Sequence, residues 1–293
     1  MLSRAQLFGH LAMLAFSALV AGSFALGALA ANEISPLAMN AARFWIAALV
    51  IGVAAAVTTG LPRSAFAAAW RYPLLASFFV VYFVLMFEGL KTAPPVSASA
   101  VFTLTPIMSA VFGWLLLRQV VTPRIAIALL VGGLGAIWVI FRADLAAIAR
   151  FDIGRGEAIF FIGCVAHALY TPLVAKLNRG EPAIVFSFGV VLSGALILSA
   201  VAAPDVRATD WTALPPIVWI TLAYISIAAS SLTFVLLQFA AMRLPSSKVM
   251  AYTYLTPSWV ILWERGLGGA PQPVMVLAGV ALTMLSLILL LRQ

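Results

Sequence analysis

The sequence predicts an all-α integral membrane protein, with ten transmembrane helices built as two inverted five-helix repeats (5+5). Three observations carry that expectation. Of the 293 residues, 64% are hydrophobic and only 9% charged, whereas a soluble globular chain carries about a quarter charged residues; the mean hydropathy of +1.12 agrees. Apolar runs long enough to cross a hydrocarbon core of roughly 30 Å recur from end to end. Short segments in the two halves also match at a constant offset of 151 residues.

Taken in order, the apolar runs cover residues 7–31, 36–59, 72–90, 95–117 and 125–141, then 156–175, 183–203, 216–241, 249–263 and 274–291. Proline punctuates the gaps, in Ser35-Pro36, Leu61-Pro62, Thr122-Pro123, Glu181-Pro182, Pro215-Pro216 and Pro271. Each marks a place where a helix stops or starts, because proline lacks the N–H that a helix interior needs. In the first run Ala28-Leu29-Ala30 resembles a small-residue cleavage site after the basic Arg4. The run is longer than the apolar part of a secretory signal, and its removal would leave an odd number of spans, so it is expected to stay. The segment 142–155 is too short and polar for a domain. Helices are expected throughout, since a bilayer has no water to satisfy open backbone groups.

Basic residues set the orientation. With the N-terminus inside, one side receives Arg4, Arg63, Arg71, Arg118, Arg124, Lys176, Arg179, Arg243, Lys248 and Arg292. The other side receives Lys91, Arg142, Arg150, Arg155, Arg207 and Arg265. Ten against six predicts cytoplasmic termini. Of the acids only Glu181 falls on the inner side. The net charge of +8 sits singly between apolar runs, which argues for topology and against a nucleic-acid surface.

The repeat rests on Leu104-Thr105-Pro106 matching Leu255-Thr256-Pro257, and Ala93-Pro94 matching Leu244-Pro245. This divides the chain at 1–150 and 151–293. An odd number of spans per half inverts one copy relative to the other, a plan that recurs in secondary transporters with a site near mid-bilayer.

Ten short spans, Ser35-Pro36 leading to Arg43, and Leu-Thr-Pro in spans four and nine resemble the drug/metabolite transporter superfamily. Within it the EamA-type exporters are most similar, and Phe87-Glu88-Gly89-Leu90 after an aromatic third span resembles the YddG-type exporters of aromatic amino acids. The resemblance implies a carrier of small organic solutes in a bacterial inner membrane, working by alternating access. It departs from the family where many members carry a glutamate past the proline of spans four and nine: here stand Arg118 and Gly268-Gly269, with Glu264 earlier.

Candidate site residues follow from spacing. Phe79, Phe83, Met86 and Phe87 recur at helical intervals on one face of the third span, with Tyr82 nearby. The offset carries Phe83 to Phe234 in the eighth span, which also holds Ser231 and Gln238. An aromatic wall suits a planar, largely apolar solute; rings facing lipid are the alternative. Ser99 and Thr103 lie one turn apart in the fourth span, and the repeat mate of Thr103 is Tyr254; back-bonding to their own helix is the blander role for such hydroxyls. His167 in the sixth span is a packing residue or a substrate contact. Pro106 and Pro257 each remove a helical hydrogen bond, so they are expected hinges whose freed carbonyls could face a cavity. Arg43 is expected to be a structural charge, and Glu88 to pair with Lys91 at i+3.

Nothing predicts catalysis, a cofactor or a metal site. There is one cysteine, Cys164, and no His-Glu-x-x-His, Gly-x-Ser-x-Gly or phosphate-binding glycine loop. The expected partners are a small-molecule substrate and membrane lipid, with no nucleic acid and no obligatory protein partner. Aromatic amino acids are the leading solute class. Lipophilic aromatic cations or other metabolites are the alternative, and a non-transporting intramembrane protein or enzyme stands behind both.

Overall fold

Short proline-bearing connections turn the chain back after each apolar helix, so successive helices run in opposite directions, while the closest packing is between helices distant in sequence. The structure, a computed structural model, describes residues 4–291; Arg292, counted above on the inner side, lies outside them. The secondary structure of the described residues is helical throughout, without strands. The first half comprises α1 (Arg4–Ala30), α2 (Pro36–Thr58), α3 (Arg71–Leu90), α4 (Pro95–Phe102), α5 (Thr105–Leu117), α6 (Pro123–Ile140) and the short α7 (Leu145–Arg150). The second comprises α8 (Arg155–Leu177), α9 (Ala183–Val201), the short α10 (Ala203–Ala208), α11 (Pro216–Ser226), α12 (Thr233–Ala241), α13 (Ser246–Ala251), α14 (Thr256–Gly266) and α15 (Val274–Leu291).

Eight helical segments among the described residues are long and apolar enough to cross a membrane, counting α4 with α5 and α11 through α12 as one each. The chain is thus an integral, multi-pass membrane protein. Two of the ten expected spans differ. The apolar run 249–263 is not one helix: a 3-10 turn at Tyr252–Leu255 separates α13 from α14. The last, α15, belongs to the shorter apolar helices.

Start signals act as the sequence indicates. Ser35 caps α2, accepting from the Leu37 N–H at 3.3 Å, and its hydroxyl donates to Asp205 at 2.6 Å. Pro36, Pro95, Pro123 and Pro216 open their helices in the first turn, where a missing N–H leaves no gap. Asp144 caps α7 by accepting from Ala146 and Ala147, which gives the segment 142–155 a helical turn of its own.

The expected hinges are breaks rather than bends. Pro106 and Pro257 stand in the first turn of α5 and α14. The carbonyl freed by Pro106 does not face a cavity, because the Thr105 hydroxyl donates to Phe102 O at 2.7 Å. Pro172, inside α8, frees the Ala168 carbonyl, and Ser109 of α5 donates to it at 3.1 Å. The two breaks meet: Thr105 and Thr253 hydroxyls lie 3.4 Å apart.

Helices in a bilayer associate by close packing, since lipid removes the hydrophobic drive between them. The main contacts are α3 with α8, α6 with α15 and α2 with α9. At the α3–α8 contact Gly89 and Gly156 face each other so closely that a methyl on Gly89 would stand 2.7 Å from the Gly156 carbonyl oxygen. At the end where α3 begins, Arg71 meets Glu181 at 2.6 Å. At the opposite end Lys91 pairs with Glu88 at 2.7 Å, as the i+3 spacing predicts.

Candidate functional site

Aromatic residues of α3 are spaced to share a face, and that face turns inward. Phe79, Tyr82, Phe83 and Met86 are all buried. From α8 His167 meets Tyr82 with ring centroids 4.5 Å apart, and Tyr170 meets Phe79 at 3.9 Å. From α12 Phe234 meets Phe79 at 4.5 Å and Phe83 at 6.0 Å. The rings surround a small cavity that α1 closes with Phe16, Val20 and Ser23. Its volume is about 10 Å³, room for roughly one water. The walls are in contact.

Five expected residues, Phe79, Tyr82, Phe83, His167 and Phe234, line this cavity. Gln238 stands behind it, donating from Nε2 to the Tyr170 hydroxyl at 2.5 Å, so it orients a ring of the cage. Ser231 does not line the cavity; its hydroxyl donates to Ser226 O at 2.7 Å. Ser99 and Thr103 bond back to Val96 O and Ala100 O at 2.7 and 2.6 Å. Tyr254 lies apart, against Leu129 and Gly132 of α6. Spacing alone missed the α1 residues, together with Thr233 and Leu237 of α12. Helix α1 is apolar on all sides, so no stripe marks its inward face.

Arg43 is fully buried on α2. Its guanidinium carbon lies 3.7 Å over the centroid of Phe83. Nε donates to Ser230 Oγ at 2.6 Å and Nη2 to Ala229 O at 3.1 Å. Both acceptors lie in a π-helical segment, Ile227–Leu232, where the wider turn loosens the α-helical ladder. A central charge costs about 2.5–3.5 kcal/mol on insertion scales. A desolvated cation–π contact contributes about 2 kcal/mol in return, and each hydrogen bond to a charged group about 1.5–3. Arg43 therefore ties α2 to the π segment. Other polar atoms have no partner: His167 Nδ1, Ser23 Oγ, Asn40 Oδ1, Gln238 Oε1 and Arg43 Nη1 are all buried and unpaired. Of these residues Ser23 and His167 line the cavity, which is thus apolar and ring-walled with a few polar atoms left free, the usual make-up of a small-molecule pocket.

Comparison with known proteins gives three findings. The model of the EamA-like transporter family matches residues 7–141 and again residues 154–292. The "Uncharacterized transporter YyaM" of Bacillus subtilis (strain 168) is 24% identical over 282 residues, covering 95% of this chain and 92% of that protein. A crystal structure described only as that of a protein superposes with a TM-score of 0.73 at 19% identity, over 98% of this chain and 96% of its own. That last likeness is one of fold.

Proposed function

The chain belongs to the EamA-like transporter family, whose members are transporters of small solutes, and from that premise we propose that it exports aromatic amino acids by alternating access. In this reading ten spans form two inverted repeats, 1–150 and 151–293, in a bacterial inner membrane with both termini cytoplasmic. Support for the repeat comes from the two separate family matches and from the contacts. Exchanging each span for the one five places away turns the α3–α8 contact into that of α11–α12 with α1, and both exist.

The observation that carries the function is the ring cage. Its walls come from both halves: Phe79, Tyr82 and Phe83 from the first, His167 and Phe234 from the second. A pocket for a small organic ligand holds about 300–1,000 Å³, far above the 10 Å³ present. The solute therefore enters only when the halves separate, which suits a carrier and not an open channel.

Flux into proteoliposomes tests this. Losing one ring removes stacking worth about 0.5–1.5 kcal/mol, so Tyr82→Ala and Phe234→Ala should each weaken apparent affinity for phenylalanine roughly two- to twelvefold. A small aliphatic solute should lose much less. An aromatic-to-aliphatic ratio unchanged from wild type at matched protein levels would refute the aromatic site.

The breaks at Pro106 and Pro257 are the flexible points of this scheme. Alanine at either position supplies the missing N–H, aimed at Phe102 O or Thr253 O, and fuses the half-helices. Turnover should fall severalfold in the double variant while membrane yield holds. Wild-type turnover there would remove the breaks from the mechanism.

A further inference from the structure

We propose that Arg43 and Asn40 form the subsite that recognises the charged end of the solute: Arg43 Nη1 takes a carboxylate and Asn40 Oδ1 an α-ammonium. The proposal rests on the aromatic amino-acid reading and assigns its polar end to named atoms. Both residues are fully buried on α2, one turn apart, a spacing that puts them on one face.

Their bonds leave complementary atoms free. Arg43 uses Nε and Nη2 on the π segment, and Nη1 has no partner. Asn40 donates through Nδ2 to Pro36 O at 2.8 Å and Phe83 O at 3.3 Å, which directs the amide and leaves Oδ1 unpaired. One free cationic donor and one free neutral acceptor match the two ends of a zwitterion. The fixed bonds hold these groups in place before the solute arrives, so little ordering is required on binding.

Neither Arg43 nor Asn40 lines the closed cavity, but both abut its wall, Asn40 through the Phe83 carbonyl. Arg43 stacks on Phe83, and its acceptor carbonyl belongs to Ala229; Phe83 and Ala229 both line the cavity. Ion pairs elsewhere do not reach it: among the described residues the salt bridges are Arg71–Glu181 and Lys91–Glu88. Arg43 thus carries a buried charge with no carboxylate of the protein against it, and a solute carboxylate supplies the missing anion. A lipophilic cation would meet repulsion at the same point.

The experiment is thermal stabilisation of the purified full-length protein by matched compounds. Phenylalanine is compared with phenethylamine, which lacks the carboxylate, and with 3-phenylpropionate, which lacks the ammonium. Leucine, isoamylamine and 4-methylpentanoate form the aliphatic set. Wild type should bind phenylalanine at least tenfold more tightly than either truncated partner, about 1.4 kcal/mol. In Arg43→Gln the preference over phenethylamine should vanish while that over 3-phenylpropionate stays. Asn40→Ala should show the reverse. A purely structural role would weaken all three compounds alike and overturn the proposal. Arg43→Lys keeps the charge but not the planar fork, and should lower the carboxylate preference if Arg43→Gln fails to fold.

The wild-type arm decides by itself. Phenethylamine binding as tightly as phenylalanine, or no binding by any compound, overturns the subsite. A leucine set that shows the same preferences at the same affinities would sustain the subsite and remove the aromatic reading.

Discussion

Replacing Arg71 with alanine is expected to destabilise the protein by about 3–5 kcal/mol, the usual result of removing one partner of a buried ion pair. The Arg71 and Glu181 side chains are only 2% and 8% exposed, with Nη2 and Oε1 2.6 Å apart. Arg71 also donates to three carbonyls: Leu177 at 2.6 Å, Ala68 at 3.0 Å and Ala65 at 3.3 Å. Alanine would strip the Leu177 carbonyl of its donor and leave a carboxylate in a site built for a pair. Ala65 O keeps the Tyr72 hydroxyl, and Ala68 O the backbone N–H of residue 71. The contacts join the start of α3 to the α8–α9 connection, so one bond set ties the two halves of the chain at this end. Melting temperature in detergent is the measurement, and a variant that melts with wild type would sink the argument. Burial pushes the Glu181 carboxyl up, but the Arg71 hydrogen bond, the backbone N–H of Arg179 and the Arg71 charge outweigh it and hold the group below its usual 4.5. A depressed carboxylate stabilises fully above its unfolded value and ceases to do so as pH falls through the folded one. The wild type should therefore lose stability as pH drops below about 4.5, and Glu181→Gln should flatten that part of the profile.

Glu181 also shows what the sequence could and could not convey. As the single acid on the basic side it stood out by charge counting, yet its partner lies 110 residues away. The aromatic face of α3 was legible because 3.6-residue periodicity needs only local spacing, and all its expected rings are buried. Long-range partners leave no such trace. Nothing in Ile227–Leu232 announces a π segment, so the two bonds from Arg43 could not be foreseen. The same holds for α1, whose uniform apolarity hides which face closes the cavity. Leu-Thr-Pro did mark both breaks, but a proline says only that a hydrogen bond is lost. That Thr105 captures the freed carbonyl depends on a rotamer, and that the breaks touch depends on the fold.

The α3–α8 contact predicts a graded series of glycine substitutions, with Gly156→Ala the most damaging. Gly156 sits where α3 ends, and an added methyl would lie against the Gly89 carbonyl oxygen and 2.6 Å from the Ala93 nitrogen. These are backbone atoms of the turn that closes α3, where Ala93 N–H already donates to Gly89 O at 2.9 Å. No rotamer change relieves the clash, so α8 must withdraw. Overpacking of this kind costs about 1–3 kcal/mol, occasionally more, and a contact that is backbone on both sides belongs at the upper end. Gly163, two turns along α8, would place its methyl 3.2 Å from Leu85 Cβ and from the Tyr82 carbonyl, a tightness that a few tenths of an ångström resolve. Gly266, at the end of α14, has nothing within 4 Å of an added methyl. The order of melting temperatures should be Gly156→Ala lowest, Gly163→Ala intermediate and Gly266→Ala near wild type. Function follows from the same geometry, because α3 and α8 carry the ring pairs Tyr82–His167 and Phe79–Tyr170. On the proposed aromatic reading, any folded Gly156→Ala protein should discriminate poorly between aromatic and aliphatic solutes, whereas Gly266→Ala should behave as wild type does. Equal melting of Gly156→Ala and Gly266→Ala would mean that α3 and α8 are not held at this distance, and the ring cage that depends on their spacing would fall with it.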